Sequence, residues 1–159
     1  MNLKIQHFYF GAILNALIEY NPDAKQIVLL EKSPECRNYY SIETNQQKCI
    51  VFFKYASESK QSKNNFHFNF NDMEKKKLIE TKEINILIYL LCKKDDLKTS
   101  EIIVLKINEL IQSLDNKNSI IIKLQKNSPY VDIPIKRQKT TLKIERNRIT
   151  QSFNKLLNK

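Results

Sequence analysis

A chain of 159 residues with 42% hydrophobic content has the length for one ordinary core and a short appendage, which excludes both a disordered chain and a large multidomain one. It carries 27 basic and 17 acidic residues, a net charge of +10, and a single glycine, Gly11. That one glycine excludes a P-loop, a GxGxxG dinucleotide turn, a GxSxG nucleophile elbow and a kinase Gly-rich loop, all of which need glycine where backbone approaches a phosphate or takes positive φ.

Residues 8–20 place Phe10, Ile13, Leu14, Leu17 and Ile18 at spacings of three and four, which predicts a helix with one apolar stripe, ended by Asn21-Pro22. Three strand-like runs follow between Gln26 and Tyr55: QIVLLEKS, NYYSIET and CIVFFKY. The breaks between them are too short for crossover helices, so they predict an antiparallel meander. In the third run, Cys49, Val51, Phe53 and Tyr55 share one face, while Ile50, Phe52 and Lys54 share the other. With apolar groups on both faces, it reads as an inner strand covered on both sides.

The polar stretch 57–65 predicts an exposed loop. FHFNF then alternates, with Phe66, Phe68 and Phe70 inward and His67 and Asn69 outward. Asn71 and Glu74 have the spacing of a capping box ahead of a helix through DMEKKKLIETK. INILIYLLC, residues 84–92, reads as a central strand. EIIVLKI is expected to be a strand ending before Asn108, with Asn108 capping a helix through Leu114, and SIIIKL at 119–124 is the next strand. The fold class expected is α+β, a largely antiparallel or mixed sheet flanked by helices.

Residues 1–132 are expected to form this core, and 133–159 a basic C-terminal segment. Pro134 argues against regular pairing there, and Leu142, Ile149, Phe153 and Leu156 fall on one face of an amphipathic helix. Residues 117–159 hold eleven Lys and Arg against Asp132 and Glu145, a net +9, whereas the first 116 residues come to +1. Charge gathered at one end is the footprint of a surface that meets a polyanion. Nucleic acid is therefore the expected partner, with Lys136, Arg137, Lys139, Lys143, Arg146 and Arg148 contacting phosphates. An alternative gives the C-terminal seam to a protein partner or to self-association, the basic residues serving only solubility.

Cys36, Cys49 and Cys92 lack CxxC spacing and read as reduced thiols. No apolar run reaches the eighteen residues of a membrane span, so a cytoplasmic protein without a membrane partner is expected. Neither the cysteines nor His7 and His67 show metal-ligand spacing, and no cofactor is expected from the residues themselves.

Over residues 8–92 the predicted order is helix, three strands, a further strand, helix, apolar strand. This order resembles that of the restriction-endonuclease-like, or PD-(D/E)xK, nuclease superfamily. The resemblance implies Mg²⁺ held by carboxylates on neighbouring strands, with a lysine steadying the developing charge. It would place Glu43 and Lys54 in catalytic roles, with Glu31 or Glu19 as further ligands. Phe52 stands where that family has an acid, two residues before the strand lysine. Otherwise Glu31, Glu43 and Lys54 are strand charges facing water.

Overall fold

The structure, a computed structural model, describes residues 2–30, 38–81 and 85–158. In chain order it runs α1 (Ile5–Tyr20), β1 (Gln26–Leu29), β2 (Tyr39–Glu43), β3 (Lys48–Ser57), β4 (Asn65–Asn69), α2 (Asp72–Glu80) and β5 (Ile86–Lys93). There follow β6 (Glu101–Lys106), α3 (Ile107–Ser113), β7 (Ser119–Leu124), β8 (Tyr130–Ile135), β9 (Thr140–Glu145) and α4 (Phe153–Leu157). Single 3₁₀ turns lie at Leu97–Thr99 and Arg148–Thr150. The fold is α+β.

The strands form two sheets, one mixed, in the order β1-β2-β3-β5-β6, and one antiparallel, in the order β4-β7-β8-β9. The expected meander is present, with β2 antiparallel to both β1 and β3. β3 and β5 run parallel, and the crossover between them contains β4 and α2. The chain thus visits the second sheet before completing the first, which ties the two together early.

Alternation along β3 decides how the layers stack. Cys49, Val51 and Phe53 pack with Leu87, Tyr89 and Leu91 of β5 against Ile13 and Leu17 of α1 and Phe153 and Leu156 of α4. Ile50 and Phe52 face the other way, into a second core shared with Phe66, Phe68, Ile120, Ile122, Val131 and Ile133 of the antiparallel sheet. With both faces covered, β5 is buried at every position except its last residue. Burial pushes the Cys49 thiol up to about 12 and raises that of Cys92 as well, and both are free thiols. Cys36 lies outside the described residues.

Three expectations are corrected here. The boundary at 132 falls inside β8, and Pro134 occupies a regular position in that strand, opposite Thr141. The seam Leu142, Ile149, Phe153, Leu156 is not one helix: Leu142 belongs to β9, Ile149 to the 3₁₀ turn, and Phe153 and Leu156 to α4. Phe153 and Leu156 are buried against Ile13 and Leu17 of α1, as part of the first core. Asn21, itself buried, fixes this docking: its Nδ2 donates to the Leu17 carbonyl (2.9 Å) and its Oδ1 accepts the Phe153 N–H (2.9 Å). Finally, α3 begins at Ile107 with Lys106 as its N-cap, not at Asn108, since the Glu109 carboxylate takes the Lys106 N–H at 2.8 Å. Among the described residues no helix is long and apolar enough to cross a membrane.

Candidate functional site

The hairpin joining β8 to β9 turns through Lys136, Arg137, Gln138 and Lys139, all exposed. The Gln138 N–H donates to the Ile135 carbonyl at 3.2 Å, and the return is made with Lys139 at φ 50°. A chain with one glycine must fill left-handed positions otherwise. Asn64, Asn118 and Asn127 do so at three turns, as suits a short side chain that bonds locally, but at the fourth stands a lysine. A lysine there costs about 1–2 kcal/mol more than glycine would.

The turn between α3 and β7 lies against this hairpin. Asp115 organises it, its Oδ1 accepting the N–H groups of Lys117 (2.9 Å) and Ser119 (2.8 Å). Asp115 also receives Lys136 at 3.7 Å, and Arg137 Nε donates to Asn116 Oδ1 at 3.1 Å. Burial by itself raises the Asp115 carboxyl, but the two N–H donors, then Lys136 and Lys117, outweigh it and hold the group below the usual carboxylate range. Next to it, the Asn118 side chain joins Asp72 (3.0 Å) and Lys75 (2.9 Å) at the start of α2. Two turns and a helix start thus bring Lys75, Lys117, Lys136, Arg137 and Lys139 to one end of the antiparallel sheet.

Lys143 stands farther along β9, 3.3 Å from Asp132 and itself exposed. Arg146 and Arg148 do not belong to this surface, and the expectation that they meet phosphates is corrected. Arg146 Nε donates to Glu101 Oε2 (2.5 Å), Nη2 donates to Glu101 Oε1, and Nη1 to the carbonyls of Gln125 (2.7 Å) and Ser128 (3.3 Å). Arg148 grips Glu109 in the same two-pronged manner and also donates to the Val104 carbonyl at 3.3 Å. These guanidinium groups hold the C-terminal strand and turn to β6 and α3, each spending its paired donors on a carboxylate within the fold. The cleft beside Arg146, about 510 Å³ and lined by Glu101, Pro129, Tyr130, Glu145 and Asn147, presents carboxylates rather than free cations.

The residues singled out for catalysis are not brought together. Glu43 is exposed at the end of β2, opposite Lys48, whereas Lys54 lies six residues farther along β3, about 20 Å away. Lys54 Nζ donates instead to both oxygens of Glu74, at 2.9 and 2.8 Å, and sits 5.2 Å from the centre of the Phe70 ring and 5.9 Å from that of Phe52. Glu74 is buried and also accepts the Asn71 N–H, so the expected capping box forms and carries a second task. Glu31 lies outside the described residues. Among the described residues no three His, Cys, Asp or Glu side chains gather as they would around a metal ion.

The chain matches no protein-family model, and comparison with curated proteins and with solved structures gave no match.

Proposed function

We propose that this protein binds nucleic acid through its phosphates, using Lys117, Lys136, Arg137 and Lys139 with Lys75 beside them. The observation that supports this reading is the convergence of two turns that gather four exposed cations at one end of the sheet, where the carboxylates are Asp115, already paired to Lys136, and Asp72, bonded to Asn118. Two of the six basic residues expected from charge alone are internal locks, so the favourable field is concentrated at the hairpin end. The strained Lys139 supports the same reading, because a costly backbone at an exposed turn is retained most readily where its side chain has work to do. Binding of this kind gives affinity with little sequence selectivity and a strong dependence on salt. Gel-shift titration of intact protein and the K136E/R137E/K139E variant tests it: the variant should lose binding by tenfold or more while still unfolding in one cooperative transition. Equal binding by the two proteins would refute it.

A further inference from the structure

The antiparallel sheet has one face in the core and one in water, and the register orders the outer face in rows. Nearest the basic hairpin, Asn69 pairs with Ser119. In the next row His67 pairs with Ile121; carrying the Lys123–Asp132 register two residues on brings Pro134, which pairs with Thr141 of β9, to the same level. Beyond that, Asn65 pairs with Lys123, Lys123 with Asp132, and Asp132 with Lys143. His67, Asn69, Lys123, Thr141 and Lys143 are exposed, and Ile121 and Pro134 are half-buried. Successive rows are about 7 Å apart along the strands.

We infer that the nucleic acid bound at the hairpin is single-stranded, its phosphates on Lys117, Lys136, Arg137 and Lys139 and its bases laid over His67, Ile121 and Pro134. This rests on the phosphate reading above and adds the strand type to it. Three features carry it. The cationic row and the row of flat or apolar groups are adjacent and parallel, so a backbone held on the first places its bases over the second. The face is open and carries one net charge, that of Lys123, since Lys143 and Asp132 neutralise each other, and a single cation beyond the His67 row suits base faces better than a second row of phosphates. Asn65 and Asn69 flank His67; with Asn65 Nδ2 donating to Ser62 and Asn69 Oδ1 accepting from Ser119, it is the Asn69 N–H groups and the Asn65 oxygen that unpaired base edges can use. In a duplex those base faces are stacked away, leaving the His67 row nothing to meet. The rival geometry, in which the two-stranded hairpin enters a major groove, uses the same cations but not His67.

The experiment is fluorescence anisotropy with a labelled oligothymidylate, a labelled oligouridylate and a labelled duplex of the same length. The proteins are the intact chain, His67→Ala, His67→Phe and K136E/R137E/K139E. The single strands should bind the intact chain at least tenfold tighter than the duplex. His67→Ala should weaken single-strand binding about fivefold or more, the loss of one stacked base, and leave duplex binding unchanged, while His67→Phe restores it. If His67→Ala has no effect, or the duplex binds as tightly, while the triple variant loses all binding, the sheet face is not used and the phosphate reading survives alone. If the triple variant binds every probe as the intact chain does, or no probe binds, the phosphate reading fails and this inference with it.

Discussion

Arg148 and Glu109 meet as fork and carboxylate, with Nη1 2.6 Å from Oε2 and Nη2 2.9 Å from Oε1. Both side chains are largely buried, 15% and 19% exposed, and the same Glu109 carboxylate caps α3 through the Lys106 N–H. One carboxylate thus holds the chain's C-terminal turn, the last strand of the mixed sheet and the start of a helix in register. Arg148→Ala leaves that carboxylate without its partner and should cost about 2–3 kcal/mol in a denaturant titration. The nucleic-acid affinity of the folded variant should match that of the intact chain, because Arg148 supports the fold and does not face the ligand.

The Lys54–Glu74 pair makes a parallel case inside the second core, where Lys54 is 20% and Glu74 5% exposed. Glu74→Ala strands the ammonium between Phe52 and Phe70 and removes an acceptor from the Asn71 N–H, for a loss of about 3–5 kcal/mol. Replacing both residues by methionine should be far less harmful than the sum of the single changes, since no charge is then left buried alone. A double-mutant cycle on unfolding free energies checks this. Additive losses would mean that the pair is not coupled.

Asp115 ties stability to pH. Its carboxyl is held below the unfolded value of about 3.9, so its contribution is fully present above that value and is lost as pH falls through the lower folded value. Thermal melts stepped from pH 5 downward should show a shallower acid limb for Asp115→Asn than for the intact chain. The same substitution removes the one carboxylate paired to Lys136, and polyanion binding at neutral pH should tighten by a few fold.

Lys139 separates strain from function at one residue. Lys139→Gly relieves the left-handed backbone and should raise stability by about 1 kcal/mol, less the added freedom of the unfolded chain. It should also weaken nucleic-acid binding severalfold, because the hairpin then carries one cation fewer. A variant that gains stability at unchanged affinity would show that Lys139 is not part of the surface.

Much of the architecture is legible in local patterns. Alternation in CIVFFKY sorts the two cores correctly, the near-continuous apolar run at 84–92 marks the central strand, and Asn71-x-x-Glu74 marks its helix start. The stretch from Tyr130 onward is not, because an apolar residue every few positions suits a helix, whereas the hairpin's cross-strand pairing, which imposes β8 and β9, joins residues the local pattern does not connect. Charge counting finds the basic end but does not tell Lys136 from Arg148. The distinction lies in Glu101 and Glu109, more than thirty residues upstream of the arginines they hold, and only the folded chain brings them together. Lys54 likewise finds its acid on a helix rather than on a neighbouring strand.

The most direct test of the central claim is the salt dependence of single-strand binding for three proteins: the intact chain, K136E/R137E/K139E, and K25E/K60E/K98E. The last reverses three exposed lysines elsewhere and so changes the net charge by the same amount. The hairpin reversal should flatten the plot of log affinity against log salt by about 2, some 0.7 for each phosphate no longer neutralised, while the control reversal leaves the slope nearly unchanged. Equal effects from the two triple reversals would mean that net charge alone drives binding, and the hairpin would then be no site at all.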